Sequence, residues 1–356
     1  MLTESAATQN GQEMTSGNIV ITGANGFVGS HALLALAEDE GVSSRLVAAC
    51  RDQAKIPPAF HGRVYEGDLR DPAYRQVLVG NADTIVHAAA WTSLYGHKRQ
   101  SHALFLDPSL ALLDDAMAAG VKRFIMISST ACAPPSQAHD ANAPGRAPDF
   151  WPHLGNVVAI EDAMRAYGDA GVEMVSLRLG LFTGQRYSLG LLPVLVPRLK
   201  SYLVPWVAGG RTPLPLIAGE DIGQAVACAV RTANVDGYQG FNIIGPETPK
   251  VHDVIAFLAD EFSLPKPWFS VPFPVAHVFA WSMEQFSKIS PWNPFITRSI
   301  IYLMRDFGVD NGKARIVLGY QPRHDWRDAV RRQFVEMQAR ETRPMSLARP
   351  VENRHT

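Results

Sequence analysis

Cysteine is scarce in this chain, with three in 356 residues. Cys50, Cys132 and Cys228 are far apart in sequence and cannot form a disulfide framework, and so few thiols fit a reducing compartment. An excess of charge of either sign is also missing: 33 Lys plus Arg against 34 Asp plus Glu leaves a net charge of −1. That balance argues against the clustered basic field of a nucleic-acid-binding surface. The first 17 residues are polar and lack the basic-then-apolar order of a secretory signal. Leu189 to Val207 is the most apolar later stretch, but Arg198, Lys200, Pro193, Pro197 and Pro205 interrupt it, so it is not read as a spanning helix. These absences point to a cytoplasmic protein without nucleic-acid partners.

What is present is a globular composition, with 47% hydrophobic and 19% charged residues. The length allows a sizeable core and roughly two domains. Short apolar runs at Asn18–Thr22, Leu46–Cys50, Arg63–Glu66, Asp83–Ala88, Arg123–Ser128 and Val175–Leu179 read as strands. Helix-length segments separate them, with helical patterns at about Phe27–Glu40, Leu112–Gly120 and Ile160–Tyr167. The spacing predicts an α/β fold: a Rossmann-type doubly wound parallel sheet followed by a smaller C-terminal substrate domain. The expected borders are a flexible leader over 1–17, a main dinucleotide-binding region over 18–182, and a mostly substrate-binding region over 183–340. Within the last, segments at about 215–245 return to the sheet domain, and 341–356 form a flexible tail. Glu220–Val230, Val251–Phe262 and Trp326–Ala339 read as helices and Phe241–Ile244 as a strand.

Gly23, Gly26 and Gly29 fall between a strand and a helix, in the run Gly23-Ala-Asn25-Gly26-Phe27-Val28-Gly29. The first glycine permits a tight turn, the second lets backbone approach a phosphate, and the third lets the helix pack close to the sheet. The amide end of that helix would then face a pyrophosphate. After the second strand comes Cys50-Arg51-Asp52, with Lys55 close behind. Arg51 suits the 2′-phosphate of NADP, while a shift of one residue would bring Asp52 to the ribose and keep NAD open. Asp68, followed by Leu69, either hydrogen-bonds the adenine amino group or caps the next helix. Ala88, Ala89 and Ala90 leave room for a flat cofactor, and His87 before them is either part of that site or a satisfied interior histidine. The histidines lack ligand-like spacing, and the pairs His252-Asp253 and His324-Asp325 do not converge on one ion, so no metal site is assigned.

Taken with Thr22–Gly29, Gly67-Asp68-Leu69, His87–Ala90 and Gly120–Ser129, the later runs Leu177–Gly180, Gly219–Gly223, Phe241–Gly245 and Ala314–Tyr320 complete a pattern. It resembles the extended short-chain dehydrogenase/reductases, including epimerase/dehydratase and 3β-hydroxysteroid dehydrogenase-like members, over roughly residues 18 to 336. The resemblance implies an NAD(P)-dependent oxidoreductase in which a Tyr moves the hydroxyl proton and a Lys four residues later lowers the Tyr pKa. Here the corresponding positions are Leu154 and Val158 in one register and His153 and Val157 in the other. Neither restores the pair, which makes the chain an atypical member.

Substitute groups follow from the same frame. Ser129 either donates a hydrogen bond to a substrate carbonyl or caps the strand end, with Ser128 and Thr130 beside it. His153 titrates near neutrality and is a candidate acid or a structural residue. Tyr95, with Lys98 three positions on, is a candidate relocated acid or a lid aromatic. Arg178 either binds substrate or holds a loop. Tyr187, Leu191, Tyr202 and Trp206, with aromatics from Pro265 to Phe295, would line an apolar pocket. The expected substrate is a bulky hydrophobic alcohol or ketone of steroid, terpenoid or polyketide type. The alternatives are a non-redox isomerase, cyclase or lyase, or an inactive cofactor-binding scaffold. The same aromatics would otherwise form the smaller domain's core or a homodimer interface. A peripheral membrane contact through Phe295–Leu303 is the weakest of these readings.

Overall fold

The computed structural model describes residues 17–186, 191–233 and 235–342. The expected leader, apart from Gly17, and the expected tail beyond residue 342 lie outside the described residues, as does Tyr187. The first half of the chain alternates strand and helix: β1 (Asn18–Thr22), α1 (Phe27–Ala37), α2 (Glu40–Ser43), β2 (Leu46–Cys50), β3 (Arg63–Glu66), α3 (Pro72–Val79) and β4 (Ala82–His87). Then come α4 (Lys98–Ser101), a π-helical turn over His102–Leu106, α5 (Asp107–Ala118), β5 (Arg123–Ser129), α6 (Pro152–Asp169) and β6 (Glu173–Leu179). The remainder comprises β7 (Leu181–Thr183), α7 (Leu191–Lys200), β8 (Trp206–Val207), β9 (Leu216–Ala218), α8 (Gly219–Arg231) and β10 (Tyr238–Ile243). It ends with α9 (Val251–Phe262), β11 (Ser270–Val271), α10 (Phe273–Ser287), α11 (Arg298–Leu303), α12 (Gly312–Val317) and α13 (Trp326–Thr342).

Seven strands form one parallel sheet in the order β10-β6-β5-β4-β1-β2-β3. Alternation along β1 shows why both faces are covered. Ile19 and Ile21 pack with Leu33 and Leu36 of α1 and Val226 of α8, whereas Val20 packs with Leu112 of α5 and Ile160 of α6. Helix starts follow local chemistry: the Asp71 carboxylate accepts the Ala73 amide at 2.9 Å before α3, and Pro72 and Pro152 occupy first-turn positions where no amide is needed. The helix expected over Phe27–Glu40 ends at Ala37, because Asp39 caps a separate short helix through the Gly41 amide.

β10 returns to the edge of the main sheet, and α8 packs on α1. Two small parallel ladders, β7 with β9 and β8 with β11, belong to the C-terminal half. A separate core there joins Leu192, Leu199, Val254, Leu258, Val330 and Phe334. In the main sheet β1 has β2 on one side and β4 on the other, so the chain reverses direction of growth between β1 and β4. Ligands in open parallel sheets bind beyond the strand C-termini at such a point.

Candidate active site

At that switch point the chain turns from β1 into α1. Gly23 has φ of 65°, and a Cβ there would come within 2.6 Å of the Ala89 Cα. A Cβ on Gly29 would lie 2.2 Å from the Gly23 carbonyl oxygen, so the helix can approach the turn only as glycine. Gly26 is the N-cap of α1, which has no side-chain cap and no acidic residue in its first turn. The positive end of the helix therefore opens on the crevice without a competing carboxylate. Asn25 donates to the Asp52 carbonyl at 3.0 Å, tying this turn to the end of β2. Phe27 and Val28 point the other way, into the core, where the Phe27 ring stacks on Phe182 at 5.7 Å.

An open cleft of about 870 Å³, mouth included, runs across these strand ends. It extends from Arg51, Asp68 and Arg70, over Gly23 and Gly26, to Ala88–Ala90, Trp91 and Leu104. Its size and small-residue floor suit an extended dinucleotide. At the first end Asp68 does not cap a helix, since Asp71 does that. Both its oxygens instead accept from the Arg70 guanidinium, at 3.0 and 2.7 Å, and one also accepts the Arg70 amide at 2.9 Å. These hydrogen bonds bring its pKa down to about 2, with the nearby Arg51 charge assisting. Leu69, half-buried beside it, gives its carbonyl to Arg75 at 2.9 Å. Asp52 is turned toward its own loop, capping the Ala54 amide and pairing with Lys55 at 2.8 Å.

The other end is lined by His87, Ser109, Trp91 and Leu104. His87 is enclosed, with Nδ1 2.9 Å from Thr22 Oγ1 and Nε2 2.9 Å from Ser109 Oγ, and burial pushes its pKa down to about 4. It is a satisfied interior histidine. At the end of β5, the Ser128 hydroxyl donates to Glu161 at 2.6 Å. Ser129 is half-buried and accepts the Ala131 amide at 3.2 Å, while Thr130 is buried.

Several sequence expectations are corrected by this geometry. Arg178 does not face the crevice: it is fully buried, and its guanidinium donates to Glu161 at 3.1 and 2.5 Å and to the Ala143 carbonyl at 3.0 Å. It holds a loop. Burial would raise the Glu161 carboxyl, but the ion pair and the hydroxyls of Ser128 and Ser176 outweigh it and keep the group below its ordinary value. His153 packs against Phe105 with ring centroids 5.0 Å apart, and burial pushes its pKa down to about 4, so it carries no titratable proton at neutral pH. The Tyr95 hydroxyl donates to the Glu284 carbonyl at 3.0 Å and lies 2.9 Å from Ser287 Oγ of α10, and Lys98 is exposed. Leu191, Tyr202 and Trp206 of the proposed apolar lining are not among the residues lining this cleft. Leu191 and Trp206 pack on the C-terminal core, Trp206 with its ring 5.3 Å from His252, and Tyr202 is exposed. Phe295–Leu303 is also no membrane surface, because Thr297, Ser299, Ile301 and Tyr302 are buried.

Sequence reasoning missed Arg70, Ser109, Trp91 and Leu104 in the cleft, and the role of Glu161. Arg70 was within reach, since an arginine two positions after a strand-end aspartate can fold back on it. No local signal links Glu161 to Arg178. Among the described residues no cluster of three or more His, Cys, Asp or Glu could hold a metal, and no helix is long and apolar enough to cross a membrane.

The sequence profile of the NAD dependent epimerase/dehydratase family matches residues 19–243, and the chain belongs to that family. Among individual proteins, it is 26% identical to the uncharacterized protein YbjS of Escherichia coli (strain K12) over 327 residues, 85% of this chain and 93% of YbjS. The fold is shared with the crystal structure of gox2253, with a TM-score of 0.71, 20% identity, and coverage of 91% of this chain and 98% of that one. It is shared too with MoeE5 in complex with UDP-glucuronic acid and NAD, with a TM-score of 0.64, 19% identity, and coverage of 91% and 100%.

Two expectations fall on these findings. NADP, inferred from Arg51, gives way: the family is described by NAD, and NAD is the cofactor in the MoeE5 complex. The Arg51 charge is not free for a 2′-phosphate alone, because it already interacts with the ionised Asp68. A bulky hydrophobic alcohol or ketone as substrate and partner also gives way, because the substrate-bearing relative holds a UDP sugar and Leu191, Tyr202 and Trp206 do not line the cleft.

Proposed function

We propose that this protein is an NAD-dependent oxidoreductase acting on the sugar of a nucleotide sugar. The observation that carries the reading is the glycine turn at the uncapped start of α1, in a chain that belongs to the NAD dependent epimerase/dehydratase family. The substrate class rests on the UDP sugar in the MoeE5 structure. Bound NAD supplies a hydride acceptor. The α1 amide end and Gly26 hold its pyrophosphate, the ionised Asp68 accepts from the adenine amino group, and Ala88–Ala90 let the chain of the cofactor lie flat.

Ser129 is the group that hydrogen-bonds the reacting oxygen, on a strand end that Ser128 anchors to Glu161. The Tyr-x-x-x-Lys pair is replaced in this reading by apolar side chains of α6. Leu154 and Val157 are buried, and His153 is neutral. In this reading the hydroxyl proton passes to solvent, and the rate rises with pH instead of following a bell. Residues 18–182 with the returning 215–245 act as the cofactor unit and the rest of 183–340 as the substrate unit, which the places of β10 and α8 support. The buried free thiols of Cys50, Cys132 and Cys228 suit a cytoplasmic location.

The test is incubation with NAD and either UDP-glucose or UDP-glucuronic acid, followed by separation of the nucleotide sugars. The reading expects a new sugar product, formed about tenfold or more slowly by Ser129→Ala, with KM little changed. An enzyme that holds NAD but converts neither sugar, or converts them equally fast without the Ser129 hydroxyl, contradicts it.

A further inference from the structure

A helix packed on a globular core normally turns its apolar face inward. In α10 the arrangement is reversed. The inward face carries two alanines, Ala276 and Ala280, and the carboxylate of Glu284, which binds the Arg298 backbone amide and guanidinium, each at 2.7 Å. The outward face carries Val275, Val278, Phe279 and Phe286 at helical spacing, and Ile289 follows the helix end. Val278 is 62% exposed, Ile289 86% and Trp292 72%. Most of the large apolar side chains exposed among the described residues lie between positions 202 and 292. Such a concentration marks an interaction surface.

The charges around it select the partner. Between Pro265 and Arg305 the sole acidic residue is Glu284, and it is buried and neutralised by Arg298. The charges this segment shows to solvent are therefore cationic. Lys288, one residue past α10, has no carboxylate partner among the described residues, nor does Arg305, and Lys266 pairs with Asp260 at 3.0 Å. Asp306 comes only after the segment. A lipid surface with anionic headgroups offers opposite charge to the cations and an acyl boundary to Phe279, Phe286 and Trp292. Tryptophans at 268, 281 and 292 are the residue type that favours such a boundary.

We infer that the outer face of α10, with the loop through Ile289 and Trp292, docks the protein on the surface of an anionic lipid bilayer. The contact lies in the plane of the bilayer, with the helix resting on it. Because the Tyr95 hydroxyl reaches Glu284 and Ser287 from the opposite side of α10, the docked helix is also the one that braces the loop following β4.

Flotation with phosphatidylcholine vesicles, with and without phosphatidylglycerol, tests the inference. The protein should rise with the anionic vesicles and stay behind with the neutral ones. Phe279→Ser combined with Phe286→Ser should weaken that binding about tenfold or more, and Lys288→Glu should weaken it while leaving the circular dichroism spectrum unchanged. Sedimentation of the vesicle-free protein supplies the second arm. Failure to float with anionic vesicles overturns the inference. So does a wild-type dimer that the double substitution converts to a monomer, since a second copy would then own the face. Neither outcome bears on NAD binding.

Discussion

The two ends of the cleft are built from opposite materials. At the Arg51 end charges are kept: Asp68 is clamped by Arg70 and ionised down to a pH of about 2. At the other end, lined by Ala88–Ala90, Trp91 and Leu104, His87 is pushed down to about 4 by burial and held between Thr22 and Ser109. The first end can recognise a ligand by charge. The second can hold one by shape and hydrogen bonding.

The largest effect should come from opening the buried ion pair behind the reaction end. Glu161→Gln leaves the Arg178 guanidinium buried without its counter-charge and takes a carboxylate from Ser128 and Ser176. A loss of about 3–5 kcal/mol in urea unfolding at neutral pH is expected. Because the folded carboxyl sits below its ordinary value, this contribution is present above the unfolded pKa and fades as pH falls through the folded one. The substituted protein should therefore differ little from wild type in strong acid.

A smaller effect is expected at the charged end. Asp68→Asn should weaken NAD binding about tenfold, roughly 1.4 kcal/mol, and should remove the penalty against NADP because Arg51 and Arg70 then stand unopposed. Calorimetric titration of both cofactors reads this directly. An unchanged NAD:NADP ratio would mean that Asp68 does not set the preference.

The smallest effect at neutral pH belongs to His153→Leu. The residue is half-buried, with a buried, unpartnered Nδ1, beside Phe105, so its replacement should shift stability by no more than about 1 kcal/mol at pH 7.5. Below pH 6.5 the comparison changes. The unfolded chain takes up protons on both histidines, while the folded chain resists until about pH 4, so wild-type stability should fall across that window. Removing His153 should flatten part of the fall, measured as thermal midpoint against pH.

These contrasts also explain what could be read in advance. The glycine turn was legible because each glycine answers a local steric demand, visible as a contact of 2.2 Å for a Cβ on Gly29. The parallel sheet was legible because strands buried on both faces are short continuous apolar runs. Asp68 was left between two roles, because the choice depends on the Arg70 rotamer. Arg178 and Tyr95 were misplaced for one shared reason. Their partners, Glu161 and α10, come from elements that only the tertiary structure brings beside them. An α10 with its carboxylate inside and its aromatics outside could not be foreseen from a pattern that assumes apolar residues turn inward.

The most direct test of the account is calorimetric titration of the wild-type protein with NAD and with NADP. The cradle at α1 and the ionised Asp68 predict saturable NAD binding, about tenfold or more tighter than NADP. Binding of NADP as tightly as NAD, or of neither, would contradict it.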